Sequence, residues 1–362
     1  MRDGMLAFRR VIVRAIIGWI LICGAANAAG VDQPLARTPW GAPDLQGVWD
    51  FRTLVPLERP PALADKAFLT PAEAQAIRDQ SLAVARADGR TENAKLDVEG
   101  AYNRIWLDLG TEADENLQTS LIIDPPNGRL PQMKPAAEAA MRKQARERLQ
   151  APVREFFSYS ADPTAFRPVH PESLGLSERC LVGFNAGPPI MPSAYNNNLR
   201  IVQTPTHVML MTEMIHESRV IPIDGTPHLP RELNFWMGDS RGHWEGDTLV
   251  VETTNRSDKK PAFQMPVVVT DPDASAAIGS AANSRLIERF TPMADGKLRY
   301  ESTIDDPASF VAPFTLRFPM RPASGRIFEY ACHEGNYAMG GILRGARLHD
   351  TEDELASTIV KQ

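Results

Sequence analysis

The chain has 362 residues, 43% hydrophobic and 23% charged, with 30 prolines, 24 glycines, three cysteines and a formal charge of −6. That balance describes a folded globular protein rather than a disordered one, with chain enough for one large or two ordinary domains. The acidic excess and an aromatic content of only 7% argue against nucleic acid as a partner, because binding it needs a basic face that displaces counterions from phosphates.

The first segment stands apart from the fold. Arg9, Arg10 and Arg14 precede the apolar run Ala15–Cys23, and Ala26-Asn27-Ala28 follows as a small-x-small site. This is the pattern of a signal peptide cleaved after Ala28, and it predicts a periplasmic or secreted protein. The alternative, a membrane anchor, needs about 20 apolar residues, and this run is far shorter. A lipid anchor on Cys23 is not expected behind the bulky Ile22, and no other stretch is apolar enough to span a bilayer. Cleavage removes a net +3, leaving the chain near −9, and removes Cys23. Cys180 and Cys332 then read as one disulfide in an oxidising compartment, the alternative being two buried free thiols. Cys332-His333 does not make a haem-attachment motif, because Glu329 stands where a cysteine is required.

Residues 29–362 read as a single β-rich domain. Its first part, 29–198, supplies an extended proline-rich arm, a strand around Leu45–Phe51, two helices and two further strands. Thr70-Pro71-Ala72-Glu73 is a capping box with proline at the first helical position, and the helix runs on to Asp88-Gly89. A second helix is expected over 135–150, and strands over Asn103–Leu109 and Thr119–Asp124, the latter followed by the turn Pro125-Pro126-Asn127-Gly128. From 199 to 350 the pattern becomes β. Strands are expected at Arg200–Gln203, His207–Ile215, Arg219–Ile223, His243–Glu245, Thr248–Thr254, Ser284–Pro292, Lys297–Asp305, Phe314–Phe318 and Arg326–Cys332. Asp224-Gly225, Glu245-Gly246-Asp247 and Asp295-Gly296 suit the tight turns between them. Short strands joined by tight turns predict a mainly β, antiparallel meander that closes as a barrel or folds as a sandwich.

Two long blocks and an opening segment carry a resemblance. Thr38 through Trp49 reads Thr-Pro-Trp-Gly-Ala-Pro-Asp-Leu-Gln-Gly-Val-Trp. Trp236 through Asn255 reads Trp-Met-Gly-Asp-Ser-Arg-Gly-His-Trp-Glu-Gly-Asp-Thr-Leu-Val-Val-Glu-Thr-Thr-Asn, and Phe328 through Tyr337 reads Phe-Glu-Tyr-Ala-Cys-His-Glu-Gly-Asn-Tyr. In these the chain resembles a family of exported bacterial proteins, over nearly its whole length after the leader. The resemblance implies export and carries no reaction with it. Gly47-Val48-Trp49 is in addition similar to the Gly-x-Trp signature of lipocalin-type (calycin) barrels, which implies a barrel.

The reacting groups must then be sought among residue types. All seven histidines lie beyond residue 169. His216 can transfer protons near neutral pH, with Glu213 or Glu217 to orient it. Asp239 and Arg241 suit a carbonyl or carboxylate, and His333 and Glu334, beside Cys332, form a second acid/base pair. Tyr195, Asn196, Glu213, Arg241 and Tyr337 are expected to bind substrate. The competing reading is structural. Glu252, Glu288 and Glu301 occur mid-strand, where alternation would turn them to solvent opposite Arg289, Arg299 or Arg219, and Asp239 and Asp247 would serve turns beside glycine. His207, His228 and His349 read as surface or satisfied core histidines.

Other classes lack their marks. His333-Glu334 has no second histidine at zinc-protease spacing, and there is no Gly-x-Ser-x-Gly elbow, Walker loop or dinucleotide fingerprint. Neither metal nor cofactor is expected, although a scattered zinc site using His216, His333 and a carboxylate stays open. The sequence therefore points to a cofactor-independent lyase, dehydratase or isomerase acting on a moderately hydrophobic small molecule. The alternative is a non-catalytic periplasmic binding protein, its cavity lined by Met209, Met211, Met214, Phe235, Phe290 and Phe328.

Overall fold

The computed structural model describes residues 35–86, 117–140, 170–171, 176–260, 263–264, 277–278 and 282–348, apart from single positions at 178, 184, 194, 336 and 338. The expected signal peptide, the strand at 103–109 and residues 141–150 of the second helix lie outside these.

Among the described residues ten strands form one antiparallel sheet. They are β1 (Gly47–Asp50), β2 (Ile122–Asp124), β3 (Asn198–Gln203), β4 (His207–Thr212), β5 (Ser218–Pro222), β6 (Asp239–Glu245), β7 (Thr248–Thr254), β10 (Arg285–Pro292), β11 (Leu298–Asp305) and β12 (Phe314–Pro322). Two further short strands, β8 (Phe263–Gln264) and β9 (Ala277–Ile278), pair with each other in a separate two-stranded sheet. The order is β5-β4-β3-β1-β12-β11-β10-β7-β6, with β2 added beside β12. The first and last long strands are therefore neighbours, Trp49 lying opposite Pro322, and the ring breaks between β5 and β6. There the two strands run alongside each other without a ladder. Gly242 makes the approach possible, because a Cβ at that position would lie 2.8 Å from Ile223 Cγ2. The result is a nearly closed barrel rather than a sandwich.

Period-2 alternation drives the closure. Along β11 every second residue from Leu298 is buried and those between are half-exposed. Leu199, Ile201, Val208, Leu210, Leu249, Val251, Leu286 and Phe290 point inward from the other strands into one core. Each such side chain contributes about 1.5–3 kcal/mol on burial. The β6–β7 and β10–β11 hairpins turn on Gly246 (φ 59°) and Gly296 (φ 79°), left-handed positions that glycine adopts without strain. Outside the barrel, helix α1 (Pro71–Arg86) starts as the capping box requires. Glu73 Oε2 accepts the Thr70 N–H at 2.7 Å, and the Glu73 N–H donates to Thr70 Oγ1 at 3.3 Å. Residues 135–140 and 339–348 are also helical.

Three strand expectations need correction. β4 stops at Thr212, because residues 214–216 turn as a single 3-10 helical turn. β6 begins at Asp239, four residues before its expected start, so Asp239 and Arg241 lie on a strand and not in a turn. Residues 326–332 form no strand. Bends at Ser324 and Gly325 carry the chain away from β12, and the Phe328 N–H is taken by the Glu213 carboxylate at 3.1 Å instead of a neighbouring strand.

Candidate functional site

One end of the barrel is closed by loops rather than by the sheet. The β4–β5 connection is a bulged turn: Thr212 N–H still donates to Glu217 O at 2.9 Å, so residues 213–216 are extruded between paired strands. Ile215 (φ 57°) and His216 (φ 45°) sit in the left-handed region, where a β-branched residue is strained and strain of this kind concentrates at functional sites. Packing holds them there. Ile215 and Met214 are buried against Tyr195, Tyr330 and Cys332, while Glu213 accepts hydrogen bonds from Asn198 Nδ2 at 2.7 Å and from Phe328 N. His216 is exposed and Glu217 half-buried at the rim.

Beneath that rim lies a group of ionisable side chains inside the barrel. Arg219 on β5 reaches across to Glu288 on β10 with two hydrogen bonds, 2.6 and 2.9 Å. Tyr300 on β11 donates its hydroxyl to Glu288 Oε1 at 2.8 Å and accepts the Ile190 N–H at 3.0 Å. Arg256 donates to Pro188 O at 2.9 Å and to Ser284 Oγ. Lys260, only 8% exposed, donates to Gly187 O at 2.6 Å and lies 3.8 Å from Met237 Sδ. Three buried side chains thus hold the backbone of Gly187, Pro188 and Ile190 over the barrel end. The bridge between Cys180 and Cys332 ties the same covering segment to the C-terminal region.

Charge arithmetic sets the protonation of this group. Burial works against the Arg219 charge, but the Glu288 carboxylate more than offsets it and holds the guanidinium above its ordinary value. Burial lowers Arg256 to about 10 despite the nearby Glu288 and Asp306. Among the described residues Lys260 makes no ion pair, and the favourable fields of the Glu217 and Glu288 carboxylates do not offset its burial. Burial, then repulsion from Arg256 and Arg219, pushes its amine well below the ordinary lysine value. Burial raises the Glu217 carboxyl, opposed by Lys260, His216 and Arg219. It also raises Tyr300, helped by Glu288. An amine and a carboxyl at one barrel end are each biased toward the neutral form, the combination that acid/base chemistry requires.

The residues proposed from sequence divide between this end and the outer face of the sheet. Asp239, buried on β6, lies 2.8 Å from His228 Nδ1 and accepts from Leu229 N at 2.9 Å and Arg241 Nη1 at 2.6 Å. Arg241 also donates to Pro227 O at 3.0 Å. These bonds clip residues 227–229 onto the sheet, and His228 proves to be their partner. The carbonyls of Tyr195 and Asn196 accept from Asn185 Nδ2 at 3.0 and 3.2 Å, which fixes the loop under Ile215. His333, Glu334 and Tyr337 are exposed. Asp239 is joined to Arg241, and Cys180 to Cys332, but among the described residues no hydrogen bond or ion pair joins His216, Asp239 and His333. Nor do any three His, Cys, Asp or Glu side chains among those residues form a group that could hold a metal ion.

Glu288 overturns an expectation. It is fully buried, not on the solvent face, because it shares the parity of Leu286 and Phe290 along β10 and so points inward. Glu252 and Glu301 do face outward, partnered by Arg285 and by Arg317 and Arg299. The inward Arg219, Glu288 and Tyr300 were detectable from that parity. Arg256 and Lys260, just past the end of β7, carried no periodic signal. Against known proteins, no family model and no curated sequence matches the chain.

Proposed function

We propose that the protein is an exported acid/base enzyme that needs no cofactor, a lyase, dehydratase or isomerase acting on a moderately hydrophobic small molecule. Its chemistry centres on Lys260 and Glu217. The observation that carries this reading is the buried Lys260 amine, which donates to the Gly187 carbonyl, makes no ion pair among the described residues and lies within the field of the Glu217 carboxyl. In the proposed step the Lys260 amine, in its uncharged form, takes a proton from a carbon beside a carbonyl, while the Glu217 carboxyl, in its protonated form, gives one to the departing or newly formed oxygen. Proton return from Lys260 to Glu217 resets the pair, with no net gain or loss of protons. His216, exposed on the same turn, suits exchange with water. Export, and membership of the bacterial family whose motifs the chain resembles, belong to the same proposal. The Cys180–Cys332 bridge supports export, since such bonds persist in oxidising compartments. Among the described residues no helix is long and apolar enough to cross a membrane.

The second reading, a non-catalytic holder of an apolar ligand, has the barrel shape in its favour. Two observations weigh against it. The ladder Phe290–Tyr300–Phe318, with ring centroids 5.1 and 5.0 Å apart, and the Arg219–Glu288 pair occupy the interior. The residues expected to line a cavity also diverge: Met209 and Met211 alternate with the inward Val208 and Leu210, and Phe235 and Phe328 are 43% and 74% exposed.

The test compares wild type, Lys260→Met and Glu217→Gln, each incubated with periplasmic extract and read by mass spectrometry. Wild type should consume at least one metabolite, and each variant should lose about 100-fold or more of that rate. Identical profiles for all three proteins sink the enzyme reading.

A further inference from the structure

A second feature, sharing no residue with the barrel end, lies beside helix α1. Leu117–Thr119 runs antiparallel to Ala67–Leu69 as a short ladder. Leu69 N–H donates to Leu117 O at 2.6 Å, Thr119 N–H donates to Ala67 O at 3.0 Å, and Phe68 stands opposite Gln118. This ladder, the segment after β1 and the first turns of α1 enclose an apolar groove of about 190 Å3. Leu54, Val55, Leu63 and Leu69 line it, with Ala74 and Ile77 from one face of the helix. Gln118 is set among them and is 6% exposed.

The neighbouring polar side chain shows what is unusual about Gln118. Thr119 Oγ1 donates to Lys66 O at 2.6 Å and accepts from Arg59 Nε at 3.1 Å, so its capacity is used. Gln118 Oε1 is shielded from water and has no hydrogen-bond partner. An orphan buried acceptor is costly and uncommon in folded proteins, and Leu117 beside it is held at φ 54°, a strained setting for leucine. Ligand pockets combine such apolar walls with a few placed polar groups.

From this we infer that the groove is a binding site for a small alcohol or phenol, an apolar body carrying one hydrogen-bond donor for Gln118 Oε1. The torsion that swings a carboxamide is soft, so the acceptor turns to meet the incoming hydroxyl. A dry cavity of about 150 Å3 accepts benzene, so the groove has room for a single ring with its hydroxyl.

Calorimetric titration of the full chain with phenol and with benzene tests the inference. Phenol should bind about tenfold more tightly than benzene, the worth of one buried hydrogen bond. In Gln118→Met, which keeps the shape and removes the acceptor, benzene affinity should persist and the phenol advantage should vanish. In Ile77→Trp, which fills the groove from the half-exposed helix surface, both ligands should be lost. The inference is overturned if wild type binds neither ligand or binds both equally. It is equally overturned if Gln118→Met keeps the phenol advantage, or if Ile77→Trp still binds both.

Discussion

Strand β10 carries two arginine–glutamate pairs of nearly identical geometry on opposite faces. On the outer face Arg285 grips Glu252 through bonds of 2.8 and 2.6 Å, the side chains being 51% and 32% exposed. On the inner face Arg219 grips Glu288 through bonds of 2.6 and 2.9 Å, at 5% and 0% exposure. Distance and chemistry match, so the surrounding medium makes the difference. Water and salt screen the outer pair, and either partner can be resolvated if the other is lost. Neither inner partner has that recourse, and Glu288 also accepts the Tyr300 hydroxyl that secures Ile190. The inner pair therefore couples the barrel wall to the loop above it, whereas the outer pair only decorates the wall.

The sharpest way to break this comparison is to remove one inner partner. Glu288→Ala strands the Arg219 charge in the core and should cost about 3–5 kcal/mol in denaturant unfolding. Replacing both partners, Arg219→Met with Glu288→Leu, should recover most of that loss, because no lone charge remains. A double variant no more stable than Glu288→Ala would mean that the pair itself supplies the stability.

Lys260 extends the comparison to a buried amine that makes no ion pair among the described residues. Burial holds its folded value well below the ordinary 10.5, so between the two values the unfolded chain binds the extra proton and stability rises with pH. The slope contributed is at most about 1.4 kcal/mol per pH unit. Lys260→Met should flatten that rise on the acid side of the ordinary lysine value, below the range where the elevated Tyr300 works in the opposite direction. An unchanged slope would show that the amine is charged in the folded protein.

The smallest effect belongs to the outer face. Arg285 holds the Glu252 carboxyl below its ordinary value, so the pair's contribution is present above the unfolded value and lost as pH falls through the folded one. Glu252→Gln should cost no more than about 1 kcal/mol at low salt and nothing measurable at high salt. A larger, salt-independent loss would erase the distinction between the two faces.

Local signals made much of the wall legible. The β7, β10 and β11 strands stand within a residue of where alternation put them, and the capping box of α1 and the turns at Gly246 and Gly296 follow from residue chemistry alone. The barrel end was less legible. His216 and Glu217 were candidates by type, but Lys260 and Arg256 follow β7 without pattern, and only packing against Gly187–Ile190 gives them a role. Asp239 looked like a turn residue beside Gly238, since nothing local shows that β6 extends back to pair Asp239 with Thr254.

The amino-acid sequence determined where the chain alternates, turns and caps, because each of these depends on neighbours within a few residues. It also supplied the two cysteines that the fold joins. Tertiary structure alone decided that the first and last long strands meet, that Glu288 faces Arg219 across the barrel, and that Lys260 is buried without an ion pair among the described residues. Those outcomes depend on groups far apart in the chain and on the medium around each charge, and no local pattern encodes either.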